Sequence, residues 1–245
     1  MQQSNGKYSL LSEGIEALRQ SDKDIESLIA HRAEEVTSQL IRYINEIELF
    51  NAAYGLVGAA DTEELIIKHI LDSLAPLGII SRLVTELCMA DNAPAANGAA
   101  AAIKAADAGS GAGLPGIPLA ITLPNFDFTL IERMGRRAGF LLNTKASLAS
   151  LGLSNIVVEE RELEKTAPES FHLVTFRAFK PLDSKLLKTL FKACAKPGFI
   201  AAYKGRREKI EQEMSPLADC GKWEAIPYTV PFLNEERHLL VIKTP

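Results

Sequence analysis

The segment 107–116, DAGSGAGLPG, constrains the fold more than any other part of the chain. Gly109, Gly111 and Gly113 alternate with small residues directly after an apolar run that ends at Asp107. Glycine has no Cβ, so such a stretch can bend tightly and bring backbone amides against a ligand. A bend of this kind needs rigid elements on both sides. Residues 103–107 predict a strand leading in, and residues 116–123 predict a helix leading out. Pro115 or Pro118 fits the first turn of that helix, where an N–H has no partner in any case. Residues 126–131 (FDFTLI) predict the next strand, closed by Glu132. Asp107 and Glu132 therefore stand at the C-terminal ends of two strands, which is where open α/β sheets bind ligands.

The same alternation continues. Further strands are predicted at 155–159, 171–176 and 198–203, and helices at 135–151 and 182–195. Short apolar strands separated by helices point to a parallel sheet covered on both faces. The tail breaks the rhythm. Residues 223–230 and 237–243 read as strands with only six residues, 231–236, between them. That is too short for a crossover, so they should pair as an antiparallel hairpin at one edge. The fold class is α/β: a seven-stranded, mostly parallel, Rossmann-like sheet with that hairpin and a helical N-terminal extension.

The extension occupies residues 1–85. Ser21 with Asp24, and Asp61 with Glu64, read as helix N-caps. Between them Ile25, Leu28, Ile29, Val36, Leu40, Tyr43, Ile44 and Ile47 recur at helical spacing, on one long helix or two in series ending near Gly55. Residues 86–102, largely alanine, form a low-complexity loop before the ligand-binding core at 103–245.

Composition is that of an ordinary globular chain, 47% hydrophobic and 24% charged. No uninterrupted apolar run is long enough for a transmembrane helix, and the start lacks the basic and apolar regions of a signal peptide, so a cytoplasmic location is expected. Cys88, Cys194 and Cys220 and the four histidines lack metal-ligand spacing, and no metal is expected. Although the formal net charge is -4, Arg133, Arg136, Arg137 and Lys145 form one local basic stretch and Lys204, Arg206, Arg207 and Lys209 another. Each is a solvated face or an RNA-binding patch.

The loop alone fits a nucleoside cofactor. Residues 111–116 also match the dinucleotide fingerprint. A pyrophosphate needs free amides at the helix N-terminus, and Pro115 and Pro118 remove two of them. S-adenosylmethionine (AdoMet) carries no phosphate, so the prolines favour AdoMet over NAD. Glu132 is placed to accept hydrogen bonds from ribose hydroxyls.

Residues 36–243 resemble the small-subunit (16S) ribosomal RNA guanine-N7 methyltransferase family, also called the glucose-inhibited division protein B family. The matching motifs are HILDS at 69–73, the loop running on to Leu119, Glu132 with the basic pair Arg136 and Arg137, Arg177-Ala178, Lys204-Gly205, and ERHLLVIK at 236–243. The resemblance implies a class I AdoMet-dependent methyltransferase. It places Gly109, Leu114 and the pair Glu162-Leu163 around AdoMet, and Arg177 toward cofactor or substrate. Leu163 and His172 stand where the family usually has acids. The implied partner is 16S rRNA or the 30S particle, bound by a monomer through Arg136, Arg137, Lys204, Arg206 and Arg207. Phe179 is a candidate for stacking on a guanine. Guanine N7 has a lone pair and no proton, so no catalytic base is nominated. His69 and Asp72 read as packing or positioning residues. Three other readings stay open: a methyltransferase of another substrate, an NAD-dependent oxidoreductase, and a non-catalytic RNA-binding module.

Overall fold

A computed structural model describes residues 4–90, 102–178, 180–217 and 221–244. Most of the Ala-rich stretch, together with Phe179 and Cys220, lies outside the described residues.

Seven strands form one sheet: β1 (Ile103–Ala108), β2 (Phe126–Glu132), β3 (Ile156–Glu160), β4 (Phe171–Arg177), β5 (Cys194–Lys204), β6 (Trp223–Tyr228) and β7 (Arg237–Lys243). Their order is β3-β2-β1-β4-β5-β7-β6. The first five are parallel, and β7 runs antiparallel to both β5 and β6, so the expected reversed pair closes one edge. Ordered in this way, the sheet reverses direction of travel between β1 and β4, the switch point outside which open α/β sheets bind ligands.

Period-two alternation assigns each strand residue to a face. Ala105, Leu173, Ala201, Leu239 and Val241 belong to one apolar cluster, whereas Ala106, Val174, Ala202, Leu240 and Ile242 belong to the other. The N-terminal helices contribute Leu11, Ile25, Val36, Leu40, Ile44 and Ile47 to the first cluster. They share that face with the Gly116–Thr122 and Gly135–Ala149 helices, while Ser184–Ala193 and Arg207–Met214 cover the other. The N-terminal helices and the sheet thus share one core.

Local chemistry explains most boundaries. Lys23–Ile29 and Ala33–Tyr54 are two helices in series, joined by a 3-10 turn. The first is capped by Asp22, whose side chain accepts from the Asp24 amide, rather than by Ser21, whose hydroxyl donates back to the Leu18 carbonyl. Gly55 ends the second with φ +57°, a left-handed conformation suited to glycine. Asp61 caps Thr62–Leu65 as expected, accepting from the Glu64 amide at 2.8 Å. The chain then widens into a π-helical turn, Ile66–Leu71, before Asp72–Leu74. No reading of the sequence anticipated that turn; the helix Leu77–Ala90 lies in the expected helical extension as far as 85 and continues through 86–90, where a loop was expected. Among the described residues no helix is long and apolar enough to cross a membrane.

Candidate active site

The glycine loop leaves β1 as expected and is pinned from three directions. Gly109 and Ser110 both donate their amides to the Ile131 carbonyl in β2. Asp107 is wholly buried, and its Oδ2 accepts from Ser110 Oγ at 2.7 Å and from the Gly116 amide at 3.0 Å. Glu132 is also buried; its Oε2 accepts from the Gly111 amide at 2.9 Å and its Oε1 from the Met134 amide at 2.8 Å. A further anchor comes from the N-terminal region. Tyr43, buried in the Ala33–Tyr54 helix, donates its hydroxyl to the Ala112 carbonyl at 2.7 Å.

The glycines divide by reason. Gly109, Gly111 and Gly113 have φ of 68°, 59° and 93°, which side chains rarely adopt. Gly116 is required for space: a Cβ there would lie 2.5 Å from Leu130 Cδ2 and 2.7 Å from Asp107 Oδ2. A larger residue would push apart the link that joins strand, loop and helix.

Asp107 carries one unsatisfied group. Its Oδ1 is buried and without a hydrogen-bond partner. Burial raises its pKa from 3.8 to about 6, against the opposing effect of the Ser110 and Gly116 hydrogen bonds. A ligand bringing a cationic donor to Oδ1 would satisfy this oxygen.

Beside the loop lies a second feature. β1 and β4 are neighbours, with Asp107 opposite Thr175, and Arg177 lies two residues beyond Thr175. Arg177 borders a cleft of about 1520 Å³ at the ends of β4, β5 and β7. Its guanidinium is fixed: Nη1 donates to the Lys68 carbonyl and to Asp72 Oδ2, each at 3.0 Å, and Nη2 meets His69 Nδ1 at 2.9 Å. Asp72 also accepts from the Tyr228 hydroxyl at 3.0 Å and pairs with Arg237 Nε at 3.4 Å. Burial, aided by the Arg177 charge, lowers His69 to about 4, so its imidazole is neutral.

The comparisons with known proteins agree with this geometry. The family model described as rRNA small subunit methyltransferase G matches residues 36–240. The chain belongs to this family. Relatives include the Ribosomal RNA small subunit methyltransferase G of Treponema denticola, 39% identical over 89% of this chain and 90% of that protein. Another, of the same name, is from Cellvibrio japonicus, 35% identical over 86% of this chain and 87% of that one. A solved SAM dependent methyltransferase from Aquifex aeolicus shares the fold, with a TM-score of 0.50 and 11% identity over 71% of this chain and 92% of its own. The architecture is thus that of the class I methyltransferases, with an N-terminal helical extension.

Within this member of the methyltransferase G family, the structure gathers Asp107, Gly109, Gly111 and Glu132 around one loop. Leu114 is buried in the apolar cluster on the N-terminal side. Glu162 is exposed and leads a 3-10 turn, Leu163–Lys165. Leu163 is buried in the cluster that holds Ala108 and Ile131, close to the ends of β1 and β2. His172 accepts the Lys104 amide at 3.0 Å through Nδ1, so the residue in the acid's place has a structural partner.

The basic residues do not act as one group. Arg136 and Arg137 open the Gly135–Ala149 helix on the glycine-loop side, and Arg137 Nη1 comes within 4.0 Å of where a Gly111 Cβ would stand. Lys204 and Arg206 line the cleft instead. Lys204 is committed to Glu213, at 2.7 and 2.8 Å, and Arg207 to Glu211 at 2.9 Å, while Arg206 is exposed. Sequence reasoning missed Tyr43, Glu213, Tyr228 and Arg237 as parts of the site. A phenol on the apolar face of a helix was the one available signal for Tyr43, since a buried hydroxyl needs a partner.

Proposed function

We propose that this chain transfers the methyl group of AdoMet to N7 of a guanine in 16S ribosomal RNA, and so acts in the cytoplasm. The observation that carries the reading is the glycine bend held between Asp107 and Glu132, with a cleft opening at the adjoining strand end.

The residues fit AdoMet in four respects. The orphaned Asp107 Oδ1 suits the cationic ammonium of the methionine portion. Each Glu132 oxygen accepts one amide and keeps a second lone pair, enough for a pair of ribose hydroxyls. Leu163 and Leu114 supply apolar surface, and Glu162 stands beside Leu163 for a polar edge. Gly109 and Gly111 leave the backbone bare on the ligand side.

Bound AdoMet supplies an electrophilic methyl group on a sulfonium. Guanine N7 presents an in-plane lone pair without a proton, so no side chain has to remove one. The protein's work is to align the two and keep water out. Arg177, immobilised by three contacts, lies between loop and cleft and sets the border of the two subsites. Arg136 and Arg137 on the loop side, and Arg206 and Arg207 beyond β5, offer cations to RNA phosphates, with Lys204 holding the wall of the cleft.

The test is methyl transfer from labelled AdoMet to 16S rRNA lacking the modification, free and within 30S particles, followed by mapping of the product. The expected product is 7-methylguanosine at one position. Transfer to metabolites alone, or RNA binding without transfer, would overturn the reading.

A further inference from the structure

One polar group in the cleft is left over by the function proposed above. His69 lines it from the π-helical turn. A guanidinium has only donors, so His69 Nδ1, 2.9 Å from Arg177 Nη2, must be the acceptor. The ring proton is then confined to Nε2. The tautomer is locked, because Arg177 is itself held by Asp72 and the Lys68 carbonyl. Nε2 has no acceptor among the described residues and is not one of the buried polar atoms left unpaired, so its N–H is accessible, on a residue that lines the cleft.

We propose that the His69 Nε2–H donates a hydrogen bond to O6 of the target guanine, which makes His69 a specificity-determining residue of the methyl transfer. The inference rests on the functional reading given above. The purine edge that carries N7 differs between the two purines only in its neighbour: guanine offers the O6 acceptor, adenine the N6 amino donor. A group that can only donate accepts guanine and sets an N–H against adenine's amino hydrogens. His69 is such a group because its acceptor nitrogen is already occupied by Arg177. It also leaves N7 free to attack. Methylation at N7 places a positive charge on the base, which a neighbouring imidazolium would oppose; the ring here is neutral. The position is suitable, since the cleft and the glycine loop issue from adjacent strands.

Two amide substitutions separate this role from a merely structural one. The nitrogen of a glutamine side chain replaces Nε2, whereas the oxygen of an asparagine replaces Nδ1. His69→Gln therefore keeps the donor in the cleft and loses the partner of Arg177, and His69→Asn does the opposite. The substrate is 16S rRNA carrying either guanine or 2-aminopurine, which lacks O6, at the position methylated by the wild-type protein. The expected result is that His69→Gln retains most of the wild-type kcat/KM on guanine RNA. His69→Asn should fall by about tenfold, the size of one hydrogen bond, with its AdoMet Kd unchanged. Removing O6 should slow the wild-type protein and cost His69→Asn nothing more, as in a double-mutant cycle. The reverse ranking of the two variants, or losses that multiply, would overturn the assignment. The ratio between the two RNAs decides the matter even if one variant is unstable, because it is taken within each protein. Absence of any transfer by the wild-type protein would instead overturn the functional reading, and this inference with it.

Discussion

Two buried acids stand at neighbouring strand ends, and their hydrogen bonds give them different tasks. Glu132 has both oxygens on backbone amides, so it organises the loop even without a ligand. Glu132→Gln must turn an NH2 group toward one of those amides. Losing one acceptor while burying a donor should cost about 1–3 kcal/mol of stability, read from urea unfolding, and should also weaken AdoMet in calorimetry. An unchanged urea midpoint would show that the carboxylate does not hold the loop. Asp107 is only half used. Its raised pKa, about 6, means that the charge suited to a cationic ligand is lost as pH falls. AdoMet affinity should therefore rise as pH increases through about 6 and level off above it. In Asp107→Asn the affinity should be lower throughout and lack this inflection, measured as Kd against pH.

The parts of the fold with local causes were legible in the sequence. Strand-helix alternation from Ile103 onward, the reversed last pair and the glycine bend all appear where periodicity and turn chemistry put them. Boundaries moved where two local signals compete. Asp22 outdoes Ser21 as a cap because its carboxylate reaches the Asp24 amide. β5 begins at Cys194, within the stretch expected to be helical, because Ser170 and Glu169 donate amides to the carbonyls of Ala193 and Lys192 and draw the chain out. Leu77–Ala90 was read only as part of a helical region ending at 85, although its buried Leu77, Ile80, Leu83, Val84 and Leu87 recur at helical spacing, and its last turn was assigned to the loop expected from 86. Widening into a π turn between Ile66 and Leu71 leaves no mark in composition. The contacts that complete the site were not legible, since they join residues distant in sequence. Tyr43 meets Ala112, and Arg177 meets His69 and Asp72, across separations of 69, 108 and 105 residues. The Ala33–Tyr54 helix therefore helps to hold the loop proposed to bind AdoMet. Tyr43→Phe keeps the packing and strips the Ala112 carbonyl of its buried donor. It should cost about 1–2 kcal/mol, speed hydrogen exchange in the 109–114 amides and raise the AdoMet Kd. Loss of stability with exchange in the loop unaltered would confine Tyr43 to the core.

At the scale of the whole molecule, the two shifted groups on either side of the site act on stability in opposite directions. His69 titrates at about 4 when folded and at its ordinary 6.5 when unfolded. Below 6.5 the unfolded chain takes up a proton that the folded one refuses, so this contribution to stability is complete above 6.5 and is lost as pH falls toward about 4. Asp107 runs the other way. Folded, it holds its proton up to about 6; unfolded, only to 3.8. Its contribution is complete below 3.8 and is lost as pH rises to about 6. Over most of the interval between 4 and 6 the two slopes oppose each other, each at most about 1.4 kcal/mol per pH unit. Single substitutions should unmask them. Asp107→Asn should lose stability more steeply than the wild-type protein on acidification through that interval. His69→Gln should lose it less steeply, or gain. Urea midpoints measured at several pH values compare the slopes, and the surface carboxylates common to all three proteins cancel in the differences. Parallel curves for wild type and both variants would mean that neither group is shifted, and that the crevice is wetter than its burial implies.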